Sequence, residues 1–482
     1  VMLTHDLRYA LRTLNTRRAY ACIAILTLAL GIGATTAIFS IVDAALLRPL
    51  PFPNAERIVM VWETLGDQTN ERVLAAHANI MDWQERSRSF ETIGVMRGMS
   101  VNLTGTESPD RLSGMFASAE TFAILGATTT LGRTFTADEA RPRAGARVAV
   151  LGHSQWLSRF GGDPSILGRS MVLNGQPHVV IGVLAPNVYA PIGGSDVWLP
   201  ISSIPWRGTF DRGNQNVVAV GRLRRGVSVE AAQQDLSAIM ADLAREHPGT
   251  NTGVGASMVP IRDQMVGPMR GSLLIVFSAV GLLLLIACAN VANLQLARGA
   301  ARSQELAMRT ALGGTRGRLV RQLLTESLLL SIVGGALGVL LAMLAVHLVP
   351  LIPGGLPTHA EVAVNRDVLL FAAGISVISA LVFGLPPALR STRTDLRSML
   401  NARSGVLDDG GIRGGSVITV AQLALCTSLL IVAGLLARSL SRLSAVDPGF
   451  EAEYVLGAEL RLPLGKYGPH HRRTAFFERA LA

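Results

Sequence analysis

The stretch from Arg302 to Ser327 lies between two of the most apolar runs in the chain, yet it carries Arg302, Arg309, Arg316, Arg318 and Arg321 against Glu305 and Glu326. Glu305, Met308 and Leu312 fall on nearly one helical face, with Arg302 and Arg309 beside them, and Gly313-Gly314 stops the helix. Residues of this kind either dock a soluble partner or fix topology and touch lipid headgroups. Charge alone leaves both readings open. The other candidates for chemistry fail on spacing. Ser154 lies in "GHSQW", where Trp156 replaces the second glycine of a nucleophile elbow. His153, His178 and His247 are scattered, no H-E-x-x-H is present, and the adjacent pair His470-His471 is badly placed to share an ion. Asp82 and Glu85 have arginines near them in sequence and read as a solvated face. The only lysine, Lys466, sits in "PLGKYG", so no G-x-x-x-x-G-K-[ST] phosphate loop occurs. These 482 residues therefore do not by themselves form a P-loop ATPase. No catalytic, metal-binding or cofactor-binding residue is assigned.

The elements that must carry these groups are apolar. Half the residues are hydrophobic (49%) and only 16% are charged, for a mean hydropathy of +0.38. A bilayer core of about 30 Å needs roughly 20 residues of helix. Five uncharged runs meet that length: Ala19 to Val42, Gly271 to Ala297, Ser327 to Val346, Val368 to Leu389 and Gly414 to Ala437. Asp43 and Glu326 stand at the ends of runs, so neither supplies the mid-membrane charge of an ion-coupled carrier. Asn290 and Asn293, inside the second run, read as interhelical hydrogen-bonding groups. Cys22, Cys288 and Cys426 all fall in apolar runs and read as buried packing thiols. Gly334 and Gly338 form a G-x-x-x-G packing motif, and Pro386-Pro387 end or kink the fourth run. The formal charge of +10 comes from arginines beside the runs, the pattern of membrane topology, and nucleic acid is excluded as a partner.

Arginine placement orients the spans. Arg8, Arg12, Arg17 and Arg18 precede the first run, the loop after the second is arginine-rich, and Arg390, Arg393, Arg397, Arg403 and Arg413 follow the fourth. The loop between the third and fourth runs holds only Arg366. The positive-inside rule puts the N-terminus and the Arg302 stretch in the cytoplasm and residues 48–270 outside; Arg438 and Arg442 run against it. The outer segment mixes strand and helix. "RVAVLGHSQW" opens as a strand, and "SMVLNGQPHVVIGVLAP" is a hairpin turning at Asn174-Gly175. "SVEAAQQDLSAIMADLAREHPG" has helical spacing ended by Pro248-Gly249.

The segment "QELAMRTALGGTRGRLVRQLLTESLLL" resembles the R-x-x-E-[IL]-x-[IVM]-R-x-A-L-G-A segment of MacB/FtsX-like ABC transporter permeases. It matches at Arg302, Glu305, Leu306, Met308, Arg309, Ala311, Leu312 and Gly313, while Gly314 stands where alanine is usual. The stretch "VAVLGHSQWLSRFGGDPSILGRSMVLNGQPHVVIGVLAP", with "DVWLPI" beyond it, resembles the periplasmic core domain of the same family. The resemblance implies a membrane α-helical bundle of five predicted transmembrane helices, with a large mixed α/β extracytoplasmic domain between helices 1 and 2. The expected divisions are a basic cytoplasmic helix (1–18), a first span (19–47), a periplasmic core domain (48–270) and a permease domain (271–400). The permease domain has helices at 271–297, 327–348 and 368–389 and a coupling segment at 298–326. A fifth span (414–437) is followed by the start of a second outer domain (438–482), as if the second unit of a duplicated permease were cut short.

The resemblance also implies a role. The chain would be a non-catalytic permease subunit of the bacterial inner membrane, binding no cofactor itself, with ATP held by an ABC ATP-binding partner. Arg302, Glu305, Met308, Arg309, Leu312 and Gly313 would contact that partner. Motion would pass to the periplasmic domain to export a drug, peptide or lipid-linked substrate. Membrane lipid, a periplasmic adaptor or outer-membrane channel, and a dimer or internally duplicated pseudo-dimer are the further partners implied. The alternatives are a regulator of an extracytoplasmic enzyme, as FtsX-like members are, and a non-functional truncated permease.

Overall fold

The computed structural model describes residues 18–66, 71–105, 109–141, 144–186, 188–192, 194, 196–204, 210–301, 316–348, 362–391, 409–444 and 470–481. The chain divides into two compact units, with boundaries after Arg48, Pro268 and Val455.

The unit that follows Arg48 is built on one twelve-stranded mixed sheet. Its strands are β1 (Ile58–Leu65), β2 (Glu71–Val73), β3 (Ala75–Ala76), β4 (Phe90–Thr104), β5 (Asp110–Ala117) and β6 (Thr129–Gly132). They continue with β7 (Val148–Leu151), β8 (Ser170–Leu173), β9 (Gln176–Leu184), β10 (Val197–Pro200), β11 (Gln215–Leu223) and β12 (Val254–Pro260). The order is β12-β1-β11-β4-β5-β10-β7-β9-β6, with β2 on β1, β3 on β11, and β8 bridging β4 and β9. The runs "IVMV" of β1 and "VVAV" of β11 are apolar at every position because both faces of the sheet are covered. Val59, Val61, Val217 and Ala219 enter one core, while Ile58, Met60, Val218 and Val220 enter the other.

Helices complete the two layers. On the first face lie Ile80 and Trp83 of helix His77–Arg86. Beside them sit Ala232, Leu236, Ile239, Met240 and Leu243 of helix Val229–Glu246. That helix starts at Ser228, whose Oγ accepts the Ala231 amide, and ends at Glu246 before Pro248. On the second face Phe122, Ile124 and Leu125 of helix Ala119–Leu125 pack with Trp198. The β8–β9 hairpin turns at Asn174 (φ 49°) and Gly175 (φ 76°). Two consecutive left-handed residues are the reason that dipeptide signals a tight hairpin.

The other unit holds four apolar helices whole and most of a fifth. Their candidate spans are Arg18–Leu47, Met269–Arg298, Val320–Leu348, Arg366–Leu385 and Thr419–Ser439, called here the first to fifth spans. The second lies in a single helix, Ile261–Ala301. The fourth lies in helix Arg366–Ser391, which continues past Pro386-Pro387, so those prolines do not end it. Five apolar helices, with a mixed α/β domain between the first and second, are the expected architecture.

Small residues let the spans approach. A Cβ placed on Gly338 would stand 2.9 Å from the Gly33 nitrogen and 3.0 Å from the Ala29 carbonyl oxygen; one on Gly334 would meet Leu28 Cβ at 2.8 Å. The G-x-x-x-G of the third span is thus the seat of the first. Leu28, Ile32, Leu284, Cys288, Val291, Leu330 and Phe383 fill the bundle core. Thr35 Oγ1 donates to the Val280 carbonyl (3.3 Å), and Ser331 Oγ donates to that of Ser376 (2.6 Å). Hydroxyl-to-carbonyl bonds of this kind tie helices where apolar burial gives no drive between them. Cys288 is buried in that core, but Cys22 is exposed on the outer face of the first span and Cys426 is half-buried, so only one of the three is a core thiol.

Candidate functional site

The residues expected to contact a partner, Arg302, Glu305, Met308, Arg309, Leu312 and Gly313, lie outside the described residues. The structure describes what flanks them. Helix Ile261–Ala301 leads into the segment and helix Arg316–Leu348 leads out of it. At the ends of these two helices that border the segment, polar side chains converge on the first span. The Arg298 guanidinium stands over the Tyr20 ring, 4.7 Å from its centroid. Gln295, one turn earlier on the same helix, donates to Ser327 Oγ at 3.0 Å. Glu326, next to Ser327, is only 6% exposed. Gln295, Arg298 and Glu326 all lie within range of the Tyr20 hydroxyl. Sequence reasoning placed Glu326 at the inner end of the third run but missed Tyr20 and Gln295. Their signal was a polar residue two or three positions inside the arginine border on two separate runs.

The amides of the second span find a partner in the fifth. Gln422 Nε2 donates to Asn290 Oδ1 (2.5 Å) and Asn293 Nδ2 donates to Gln422 Oε1 (3.4 Å). They are interhelical hydrogen-bonding groups, as their position in an apolar run implies. Asp43, in a π-helical turn at the C-terminal end of the first span, accepts from Arg48 Nε (3.0 Å) and Asn365 Nδ2 (2.9 Å). Asn365 in turn caps the fourth span by accepting the Val368 amide (2.9 Å). Asp43 is therefore a packing group that ties two helix ends.

The sheet unit contains no catalytic constellation among its described residues. His153 sits against Trp156 with ring centroids 5.5 Å apart, and no hydrogen bond joins Ser154 to a histidine. His178 is buried, its Nδ1 is 3.0 Å from the Gln176 carbonyl, and burial pushes its pKa down. No group of three or more His, Cys, Asp or Glu side chains is arranged to hold a metal among the described residues.

What the unit does contain is a polar network that sequence reasoning did not find. Glu63 on β1 is wholly buried; its Oε1 accepts the Ala76 amide (3.0 Å) and Asn79 Nδ2 (2.6 Å). Asn79 Oδ1 accepts from Arg212 (2.5 Å) and Asn251 (3.0 Å). Arg212 pairs with Asp82 (2.6 Å), Asp82 with Arg86 (3.2 Å), and Arg86 with Glu246 (2.7 Å). Asp82 is thus a link in this chain of pairs rather than part of a solvated face. Burial raises the Glu63 pKa against the lowering pull of Asn79 and the Ala76 amide. His77, 4% exposed and edge-on to Phe210 at 4.9 Å, has its pKa pushed down to about 4 by burial. The network joins β1, the helices His77–Arg86, Val229–Glu246 and Pro248–Asn251, and the loop before β11, which is a structural role.

Comparison with known proteins agrees with both halves of the chain. The family model of the MacB-like periplasmic core domain matches residues 21–239, and that of the FtsX-like permease C-terminal domain matches residues 277–396. A macrolide export ATP-binding/permease protein, MacB, from Burkholderia thailandensis is 26% identical over 285 residues, covering 57% of this chain and 40% of that protein. A pyoverdine export ATP-binding/permease protein, PvdT, from Pseudomonas entomophila is 30% identical over 271 residues, covering 53% of this chain and 38% of that one. The chain therefore spans about two fifths of the length of the curated relatives it matches. Among solved structures, the periplasmic region of MacB from Actinobacillus actinomycetemcomitans overlays with a TM-score of 0.33 at 14% identity. It covers 46% of this chain and 94% of that one.

Proposed function

The chain belongs to the MacB/FtsX-like ABC transporter permeases, and on that premise we propose that it couples ATP hydrolysis by an ABC ATP-binding subunit to movement of its outer domain. The observation that carries the reading is the placement of the segment around Glu305 and Arg309. The FtsX-like match runs through it, and it joins the ends of two helices that each hold a span. A charged segment at such a junction gives a soluble subunit a handle on two spans at once. Arg302, Glu305, Met308, Arg309, Leu312 and Gly313 make that contact. ATP is held by the partner, and this chain supplies no catalytic group.

Export is the role that fits, because the named relatives are export proteins for a macrolide and for pyoverdine. The substrate class is a drug, peptide or lipid-linked molecule, handled on the outer side instead of passing through the apolar bundle core. The chain sits in the bacterial inner membrane with its N-terminus cytoplasmic and the sheet domain periplasmic, as the arginine distribution supports. It works as a dimer or pseudo-dimer, with a periplasmic adaptor or outer-membrane channel as a further partner.

The test is affinity capture of the chain from its native membranes in detergent, with ATP and vanadate, alongside Glu305→Arg and Arg309→Glu. A P-loop ATPase is retained by the parent and lost from both variants. Equal retention by all three would remove the segment from the contact.

A further inference from the structure

The polar cluster at the inner end of the bundle lies on both helices that flank the segment 302–315. Arg298 is in the last turn of the helix that enters the segment. Glu326 and Ser327 are on the helix that leaves it. Between them stands Tyr20 of the first span, covered by the Arg298 guanidinium at 4.7 Å and approached by Gln295 and Glu326. The fourth span closes the group: a Cβ on Gly384 would stand 2.6 Å from Ser327 Oγ and 2.8 Å from its Cβ. Four spans therefore meet at one polar point at this end of the bundle.

We propose that Tyr20, Gln295, Arg298 and Glu326 are positioning residues through which displacement of segment 302–315 is passed to the first span. This rests on the reading of that segment as the contact for an ATP-binding subunit. The physical argument is one of leverage and choice of contact. Arg298 lies within one turn of Ala301, the last described residue before the segment, so it cannot stay fixed when the segment moves. A guanidinium holds a ring face by charge–quadrupole attraction that is strong where water is scarce. Tyr20 follows while that contact holds. The first span carries no charge between Arg18 and Asp43 with which a moving segment could engage it directly. Coupling between sites needs an element whose arrangement both ends can bias, and a ring either covered or uncovered by an arginine has two such arrangements.

The experiment uses the full chain in lipid nanodiscs with the ATPase it captures. Cys22, Cys288 and Cys426 are replaced by alanine, and spin labels are placed at Leu47→Cys and Ile275→Cys, exposed sites on the first and second spans. Electron–electron double resonance reads the distance between them with and without ATP and vanadate. The parent shows a nucleotide-dependent shift in that distance. Tyr20→Leu and Arg298→Gln capture the ATPase to within twofold of the parent but lose the shift, and Tyr20→Phe, which keeps the ring face, restores it.

A full shift in Tyr20→Leu with the ATPase bound would overturn the proposal, as would a parent that binds ATPase and shows no shift. Loss of the shift in Tyr20→Phe would do the same, since the ring face would then not be the coupling contact. If Tyr20→Leu does not assemble, Arg298→Gln carries the test, and failure of both to assemble makes the cluster a packing contact and overturns the proposal. A parent that captures no ATPase refutes the underlying reading first, and this inference with it.

Discussion

Acid should destabilise the sheet domain through one histidine. His77 opens helix His77–Arg86, is 4% exposed, and packs edge-on against Phe210. Burial lowers its pKa from the ordinary 6.5 to about 4. A base whose folded pKa is depressed gives stability that is fully present above 6.5 and is lost as pH falls, because the unfolded chain takes up the proton first. With those two values the loss is about 2 kcal/mol at pH 5 and about 3 kcal/mol at pH 4. Other charged groups on this side of the domain are Glu63, Asp82, Arg86 and Arg212. Glu63 acts in the opposite sense: a carboxylic acid with a raised folded pKa stabilises as pH falls. The clean quantity is therefore a difference between proteins. Urea unfolding of the full chain in detergent, followed by tryptophan fluorescence at pH 7.5, 6, 5 and 4, compares the parent with His77→Gln. The gap between their stabilities should narrow or invert by about 2 kcal/mol between pH 7.5 and pH 5. Parallel curves across that range would refute the assignment of a buried, neutral His77.

Other perturbations test the packing. Gly338→Leu must push the third span from the first, since even a Cβ lies 2.9 Å from the Gly33 nitrogen. It should cost about 1–3 kcal/mol and lower the thermal midpoint in detergent, whereas Gly374→Leu, with nothing within 4 Å, should leave it unchanged. Gln422→Leu removes both amide contacts to Asn290 and Asn293. The distance distribution between spin labels at Leu283 and Leu430 should broaden as the fifth span loosens. Asn79→Ala strips partners from Glu63, Arg212 and Asn251 together. Glu63 keeps the Ala76 amide and Arg212 keeps Asp82, so the loss of one hydrogen bond at each should cost about 1–3 kcal/mol by urea titration.

Much of this architecture is written in local pattern. The apolar runs declare the spans, and Asn174-Gly175 declares a hairpin because only left-handed residues close it. The run "VEAAQQDLSAIMADL" declares a helix through Ala231, Leu236, Ile239 and Leu243; the structure buries the last three with Ala232 and Met240 and leaves Ala231 exposed, so the apolar face begins one residue later than the spacing suggests. The sheet order is not legible, because β1 lies between β11 and β12, strands more than 150 residues away in sequence. The polar clusters escape for the same reason. Glu63 and Arg212 look like surface charges until the fold sets both against Asn79. Tyr20 and Arg298 are separated by the whole sheet domain. Asn290 and Asn293 signalled a contact by their mere presence in an apolar run, but Gln422 is not identifiable as their partner without the helices in place. The segment around Glu305 was legible by resemblance, and its residues lie outside those the structure describes.

The most direct test of the central claim places a photo-crosslinking amino acid at Leu312 and, as a control, at Leu348 on the opposite end of the third span. Irradiation of native membranes should join the Leu312 probe to a protein carrying a P-loop ATPase sequence, more efficiently with ATP and vanadate, while the Leu348 probe should not be joined to it. Crosslinking of Leu312 to lipid alone, with no ATPase adduct under either condition, would contradict the account and return the arginines of this segment to a role in topology.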